Sequence, residues 1–371
     1  MPVERRPEII GLGKAHGSLL VTAQETAQAM VDRRAEEHES DPNVKLISLA
    51  LAIRALRRYG IGDRYFCTSE EASSDMGTIA GKMALEMAGK SAKDIKNLPY
   101  ATGLQDHLGV PTGTIVMKNL QGNYNAATAD ISGACPGFVH ALRTAYTDMT
   151  SEYGLGSPQM VIASEPASKG INKEYMKTWI LFGDAAGAVV LDMVEVDPDC
   201  PKATFVYGMD PDMLPDLIVP AGGSREPTTI ESIEQGRNMI KMDDGEKIKE
   251  AAIFNMTAIV KRLLEKSGLT LNEIDLVIAH QANLEIINGV RNKLSEDFGE
   301  EIPSEKFYVN IQRYGNTSAA TIPVAIREAW EEGRLKKGNK ILIVTFGAGL
   351  NFAGAILPMN GLPDAPQSKD Q

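Results

Sequence analysis

Several stretches of this chain repeat in the same order, and that repetition narrows the folds open to it more than any other feature. Ile79 to Ala88 reads as a helix closed by Gly89, and Ile259 to Ser267 as a helix closed by Gly268. Each glycine suits the left-handed residue that ends many helices. Lys93-Asp94-Ile95 follows the first helix. Leu271-Asn272-Glu273-Ile274-Asp275 and the strand Leu276-Val277-Ile278-Ala279-His280 follow the second. Gly133-Ala134-Cys135 opens a helical stretch in the first half, and Gly315-Asn316-Thr317-Ser318-Ala319-Ala320 opens one in the second. The interval from Cys135 to Asn316 nearly equals the interval from Gly89 to Gly268. Finally, Phe182-Gly183-Asp184 and the apolar run to Leu191 are echoed by Phe346-Gly347-Ala348-Gly349 and the run to Leu357, at a shorter offset, so loop lengths differ.

Short apolar strands alternating with helical stretches signal a layered α/β fold. With the echoes, they predict two copies of one α/β unit packed side by side, residues 1–195 and 196–360. The acidic, proline-containing connection Glu195, Asp197, Pro198 and Asp199 would join them. Residues 361–371, polar from Pro363 onward and without periodicity, are expected to form a flexible tail.

At 371 residues and 43% hydrophobic, the chain can build a large core. A net charge of −11 disfavours a nucleic-acid partner. Arginines 54, 57, 58 and 64 form one local basic concentration, open to a phosphate or an acidic protein; Arg334, Lys336 and Lys337 read as a solvated face. No apolar run approaches a membrane span, and Met1-Pro2-Val3-Glu4-Arg5-Arg6 lacks the apolar core of a signal peptide. Three unpatterned cysteines argue against a disulfide framework and for a reducing cytoplasm. None of the five histidines pairs with cysteine or histidine at zinc-ligand spacing, so no metal site is expected. Gly11-Leu12-Gly13 is too short for a dinucleotide fingerprint, and there is no Walker A run.

Of the three cysteines, only Cys135 sits on a turn of small residues ahead of an amphipathic stretch, Asp130-Ile131-Ser132-Gly133-Ala134-Cys135-Pro136-Gly137-Phe138. A thiol at a helix start is favoured to ionise by unpaired N–H groups and the helix dipole. A thiolate suits transient acyl attachment, because it is both a nucleophile and a good leaving group. The alternative is a buried small hydrophobe. His280 ends an apolar strand and precedes the polar turn Gln281-Ala282-Asn283, where α/β folds commonly carry active-site groups. If the halves pack about a pseudo-twofold axis, Cys135 and Asn316 sit at equivalent helix starts and their side chains converge.

Ala279-His280-Gln281-Ala282-Asn283 and Arg313-Tyr314-Gly315-Asn316-Thr317-Ser318-Ala319-Ala320 resemble the histidine and asparagine motifs of the β-ketoacyl-acyl-carrier-protein synthase III family. The Cys135 turn, Phe182-Gly183-Asp184, Pro220-Ala221-Gly222-Gly223-Ser224-Arg225 and Phe346-Gly347-Ala348-Gly349 are similar too, as is Arg58-Tyr59-Gly60-Ile61. The resemblance implies a thiolase-like five-layered αβαβα fold with two duplicated halves, and a homodimer. It implies decarboxylative condensation of an acyl thioester, carried on Cys135, with a malonyl thioester. His280 and Asn316 would promote the decarboxylation. The backbone amides of Cys135 and Ala348 would form the oxyanion hole, with Gly347 and Gly349 letting the backbone approach. Arg58, Val110 and Phe182 would bind substrate. No metal or redox cofactor is implied; coenzyme A or acyl-carrier-protein thioesters are the substrates and partners.

Three positions depart from the family pattern. Arg54 stands where a tryptophan usually stacks on the coenzyme A adenine. Glu285 stands where an arginine usually docks the carrier protein, and would repel an acidic carrier. Val110 replaces an aromatic gate, contributed by the partner subunit, and points to a larger or branched acyl chain. The competing activities are an acyltransferase forming no carbon–carbon bond, and a non-decarboxylative acyl–acyl condensation. The second needs a carboxylate base, for which Asp106 and Glu174 are the loose candidates. A biosynthetic thiolase is disfavoured because no cysteine follows Cys200.

Overall fold

The structure, a computed structural model, describes residues 3–366. Nine strands form its two main sheets. The first sheet contains β1 (Glu4–His16), β2 (Asn97–Ala101), β3 (Ala127–Ile131), β4 (Gln159–Glu165) and β5 (Ala185–Val196), in the order β1-β5-β4-β2-β3. The second contains β6 (Thr204–Met209), β7 (Leu276–Ala279), β8 (Lys340–Gly347) and β9 (Asn351–Pro358), in the order β6-β9-β8-β7. The pairing runs antiparallel, antiparallel, parallel across both sheets from β1 and from β6. Where the first sheet adds β3 in parallel, the second has only a parallel bridge between Val277 and Phe307. The second sheet is thus the first with its last strand reduced to one residue pair.

Helices form three of the five layers, outside each sheet and between them. Helices α1 (Ala23–Ser40) and α2 (Leu49–Tyr59) form a separate cap. Helix α3 (Ser73–Ala88), with α4 (Thr112–Asn119), covers the outer face of the first sheet. Between the sheets lie α5 (Gly137–Thr150) and, from the second half, a counterpart at Thr321–Glu331. Helices α6 (Gly245–Ser267) and α7 (Leu284–Phe298) cover the outer face of the second sheet, and Thr321–Glu331 is α8. Strand alternation explains the division. Val161 and Ala163 of β4 face the central helices, while Met160 and Ile162 face α3. Ile341 and Ile343 of β8 face the centre, while Leu342 and Val344 face α6 and α7. Close layering needs small residues: a Cβ on Gly187 of β5 would lie 2.6 Å from Pro323 of α8. Pro323 itself sits in the first turn of α8, where its missing N–H costs no helical bond.

The predicted helix ends are observed, with Gly89 and Gly268 both left-handed caps. The register of the central echo differs from the sequence expectation. Helices α5 and α8 are each preceded by a non-glycine residue at φ 50°, Ala134 ahead of Gly137 and Ser318 ahead of Thr321. Aligning these two residues sets Cys135 against Ala319, and Asn316 lies further ahead of its helix than Cys135 does of its own. Beyond residue 360, Leu362 is buried in the central core and the Pro363 carbonyl accepts from Trp330 Nε1. The packed chain therefore extends into the expected tail, whose residues 367–371 lie outside the described residues.

Candidate active site

The strand ends and turns place Cys135, His280 and Asn316 on one cavity of about 460 Å³. Phe182, Ile180, Ile248 and Phe346 give it apolar walls, and Lys249, Glu285 and Asp243 lie among its charged residues. A roomier surface depression of about 720 Å³ near Arg291 and Glu296 has neither cysteine nor histidine in its lining. The chemistry therefore belongs to the smaller cavity.

His280 follows β7 and is 1% exposed. Its N–H bonds the Val344 carbonyl at 2.8 Å. Nδ1 lies 2.7 Å from the Thr321 hydroxyl, which is also 3.0 Å from the Ser318 carbonyl. A carbonyl only accepts, so the hydroxyl's single proton goes either to Ser318 or to Nδ1; in the second arrangement the ring carries its proton on Nε2 and can donate it to a substrate oxygen. Burial lowers the imidazole to about 3, so it is neutral at ordinary pH. On acidification the unfolded chain takes up this proton first. The resulting loss of stability begins near 6.5 and grows down to about 3. Decarboxylation by enzyme already acylated on Cys135 is accordingly expected to be flat between about pH 5 and 8. Carbon dioxide release across that range is the check; a limb near the ordinary histidine value would contradict a neutral His280.

Asn316 is held by its backbone against the Phe182 loop. Its N–H bonds the Leu181 carbonyl at 2.8 Å, and its carbonyl accepts from Gly183 at 3.0 Å. Its Oδ1 accepts the Ser318 N–H at 2.9 Å, which leaves the Nδ2 amide as the donor. Asp184 anchors that loop by accepting from the Cys67 and Ser168 N–H groups, each at 2.7 Å.

Cys135 departs from expectation. Helix α5 begins just beyond it, at Gly137, and Pro136 is its N-cap. Burial, with the Glu165 carboxylate nearby, pushes the thiol up to about 12. The helix start therefore does not make a standing thiolate here, because desolvation opposes the charged form. What the turn supplies is geometry. Ala134 at φ 50° stores strain of about 1–3 kcal/mol. Gly347 at the end of β8 brings a second backbone segment alongside: a Cβ there would lie 2.6 Å from Pro136 Cδ and 2.8 Å from the Cys135 nitrogen. If the 348 N–H is an oxyanion donor, as the resemblance implies, Gly347→Ala is expected to push the 347–348 peptide away and slow acyl transfer to Cys135 by roughly 10²–10³-fold, the effect of losing one such donor. Single-turnover acylation measures this, and an unchanged rate would remove the 347–348 peptide from the site.

The remaining candidates divide. Phe182 and Gly347 line the cavity. Gly349 sits at φ 129° in the turn between β8 and β9. Ala348 accepts Asn351 Nδ2 on its carbonyl at 3.1 Å. Val110 is 45% exposed and is not part of this chain's cavity wall. Arg58 is at the rim, paired with Glu285. Glu285 also lies 3.8 Å from Lys249, so its charge is largely countered rather than free to repel an acidic partner. Arg64 corrects the basic cluster: it is fully buried and donates to the Phe182 carbonyl at 2.8 Å and Thr26 at 2.8 Å. Asp106 accepts the Ser74 N–H, and Glu174 pairs with Arg33; neither lines the cavity. Sequence reasoning missed Ser318, Thr321 and Glu165. The available signal for Glu165 was a carboxylate ending the apolar run Met160-Val161-Ile162-Ala163.

A thiol beside two neutral hydrogen-bond donors, in a duplicated five-layered fold, has the makings of a thiolase-like condensing enzyme. Known proteins agree. The family description 3-oxoacyl-[acyl-carrier-protein] synthase III matches residues 129–210, and its C-terminal counterpart matches residues 264–359. A β-ketoacyl-[acyl-carrier-protein] synthase III of Caldanaerobacter subterraneus is 38% identical over 300 residues, covering 81% of this chain and 87% of that one. The crystal structure of 3-oxoacyl-[acyl-carrier-protein] synthase III from Aquifex aeolicus superposes with a TM-score of 0.77 at 30% identity, over 95% of this chain and 99% of that one. The priming β-ketosynthase of the R1128 polyketide pathway superposes at 0.79 with 27% identity, over 99% of both. The chain belongs to the β-ketoacyl-[acyl-carrier-protein] synthase III family.

Proposed function

We propose that this chain is an acyltransferase of the condensing type, working in two stages. The Cys135 sulfur attacks an acyl thioester, the donor thiol leaves, and the acyl group remains on Cys135. Backbone N–H groups at 135 and 348 hold the oxyanion. A malonyl thioester then loses carbon dioxide, and His280 Nε2–H with Asn316 Nδ2–H stabilises the enolate oxygen. The enolate carbon forms a bond to the acyl carbonyl, the bond to Cys135 sulfur breaks, and a β-ketoacyl thioester departs. The observation that carries this reading is the sharing of one cavity by Cys135, His280 and Asn316.

The reading requires no metal or redox cofactor. It places the enzyme in the reducing cytoplasm, where Cys135 stays free. Among the described residues no helix is long and apolar enough to cross a membrane. The halves divide near residues 195 and 196, and Arg58 with Phe182 and Gly349 contributes to substrate binding. A homodimer is part of the reading: Leu108 and Val110 are 85% and 45% exposed, and a second copy would bring Val110 to the neighbouring cavity. The countered charge of Glu285 keeps both coenzyme A and carrier-protein donors in play.

The test incubates the enzyme with a panel of acyl thioesters and a malonyl thioester, then reads the mass of the Cys135 peptide and the carbon dioxide released. Acylation with release supports condensation. Acylation without release sinks it and leaves an acyltransferase that forms no carbon–carbon bond.

A further inference from the structure

The thiol of Cys135 must lose a proton when it attacks a thioester, and the surroundings oppose a free thiolate. His280 is a poor acceptor, since burial resists its protonation. A different acceptor is in place. The Ser318 hydroxyl lies 3.5 Å from Cys135 Sγ and 3.2 Å from Glu165 Oε1; its one proton can go to either, and when it goes to Glu165 the Ser318 oxygen is free to accept from the thiol. Glu165 ends β4 and is 2% exposed. Ser318 adopts φ 50°, an uncommon conformation for a serine.

We propose that Ser318 and Glu165 form a proton relay for the acylation step, with Ser318 touching the reacting sulfur and Glu165 acting through it. As the sulfur bonds to the acyl carbonyl, its proton passes to the Ser318 oxygen, and the Ser318 proton passes to Glu165. When the tetrahedral intermediate collapses, the departing thiolate takes a proton back along the same path. The sum is one thiol and one acyl thioester giving acyl-Cys135 and a free thiol, with Ser318 and Glu165 restored.

Glu165 suits the task. It accepts from the Gly103 N–H at 3.1 Å, and the Thr102 hydroxyl and Ala319 N–H also bond it. The facing groups are therefore those donors, the Ser318 hydroxyl and the Cys135 thiol. Burial raises the carboxyl to about 7, where it can both accept and return a proton near neutrality.

This relay rests on the proposed acylation of Cys135, but its test does not need an acyl donor. Alkylation of Cys135 by iodoacetamide is followed against pH in the wild type and in Glu165→Gln. The two roles open to Glu165 predict opposite signs. A carboxylate that is only a negative neighbour holds the thiol pKa up, so glutamine would speed alkylation. A carboxylate that accepts the proton speeds it, so glutamine is expected to slow alkylation at pH 7 by about 10²-fold, the lower end for general-base assistance. The rates should converge at high pH. Ser318→Ala should slow it similarly, and the double variant should be no slower than Ser318→Ala alone, because the link is already cut. Unchanged or faster alkylation in Glu165→Gln, or additive losses in the double variant, would overturn the relay. Should Glu165→Gln fail to fold, the pH profile of Ser318→Ala decides: loss of the alkylation limb near 7 supports the relay, whereas a limb that persists, with or without the slowing expected of a mere hydrogen bond to the thiolate, overturns it.

Discussion

Cys135→Ala is expected to leave the fold intact and abolish acyl transfer, with residual turnover down by roughly 10⁴–10⁶-fold, the scale for removing a catalytic nucleophile. The cysteine sits on a turn whose conformation is set by neighbours: Ala134 at φ 50°, Pro136 as the N-cap of α5, and Gly347 against its nitrogen. Alanine replaces the side chain without disturbing these. Mass spectrometry after incubation with an acyl thioester should find no adduct on the 130–140 peptide, while thermal denaturation stays close to wild type. An adduct at Cys67 or Cys200 supporting turnover would move the nucleophile elsewhere. Cys67 is a weak rival, because burial beside Asp184 raises its thiol far above the usual range.

The second large effect is expected at His280. His280→Ala should retain acylation of Cys135 and lose carbon–carbon bond formation by about 10²–10³-fold, the size of one lost oxyanion donor. Asn316→Ala should act in the same direction. It carries an extra cost, because Asn316 Oδ1 also holds the Ser318 N–H. Rapid-quench measurement of acyl-enzyme, beside carbon dioxide release, separates the stages. If His280→Ala stops acylation as well, the imidazole takes part in thiol activation, and the division of labour between His280 and Glu165 fails.

The central architecture was legible because it is written in local chemistry. Gly89 and Gly268 mark helix ends wherever they occur, and apolar strands ending in His280 or Phe346 announce buried sheets. Cys135 and His280 stand at such junctions, and the family resemblance grouped them with Asn316; the cavity they share agrees with that grouping, although Asn316 is not at the helix start equivalent to Cys135. The readings that failed depended on what lies across the fold. Arg64 looked like a neighbour of Arg57 and Arg58, yet it turns inward beneath the Phe182 loop. The expected thiolate at Cys135 overlooked the burial of the thiol and, after it, the Glu165 carboxylate at the end of β4. Glu165 showed only as a carboxylate ending an apolar run, and Ser318 and Thr321 only as polar residues near Asn316, which mean little until their partners across the fold are known. The echo was real but displaced, since the turn from Asn316 to Thr321 is longer than the turn from Cys135 to Gly137.

The contact between Gly347 and the Cys135 turn also has a bearing on how the protein is made. The proposed nucleophile is encoded at 135 and the proposed second oxyanion donor at 348, so more than half of the chain separates them. At about 5–20 residues per second, a ribosome needs roughly 10–40 s to travel from one to the other. Throughout that interval the nascent chain carries the cysteine without β8 or β9, and therefore without a complete site. The proposed site is complete only when the last hairpin closes against the Cys135 turn. Synthesis itself thus postpones assembly of the proposed acyl-transfer site until the fold is nearly whole.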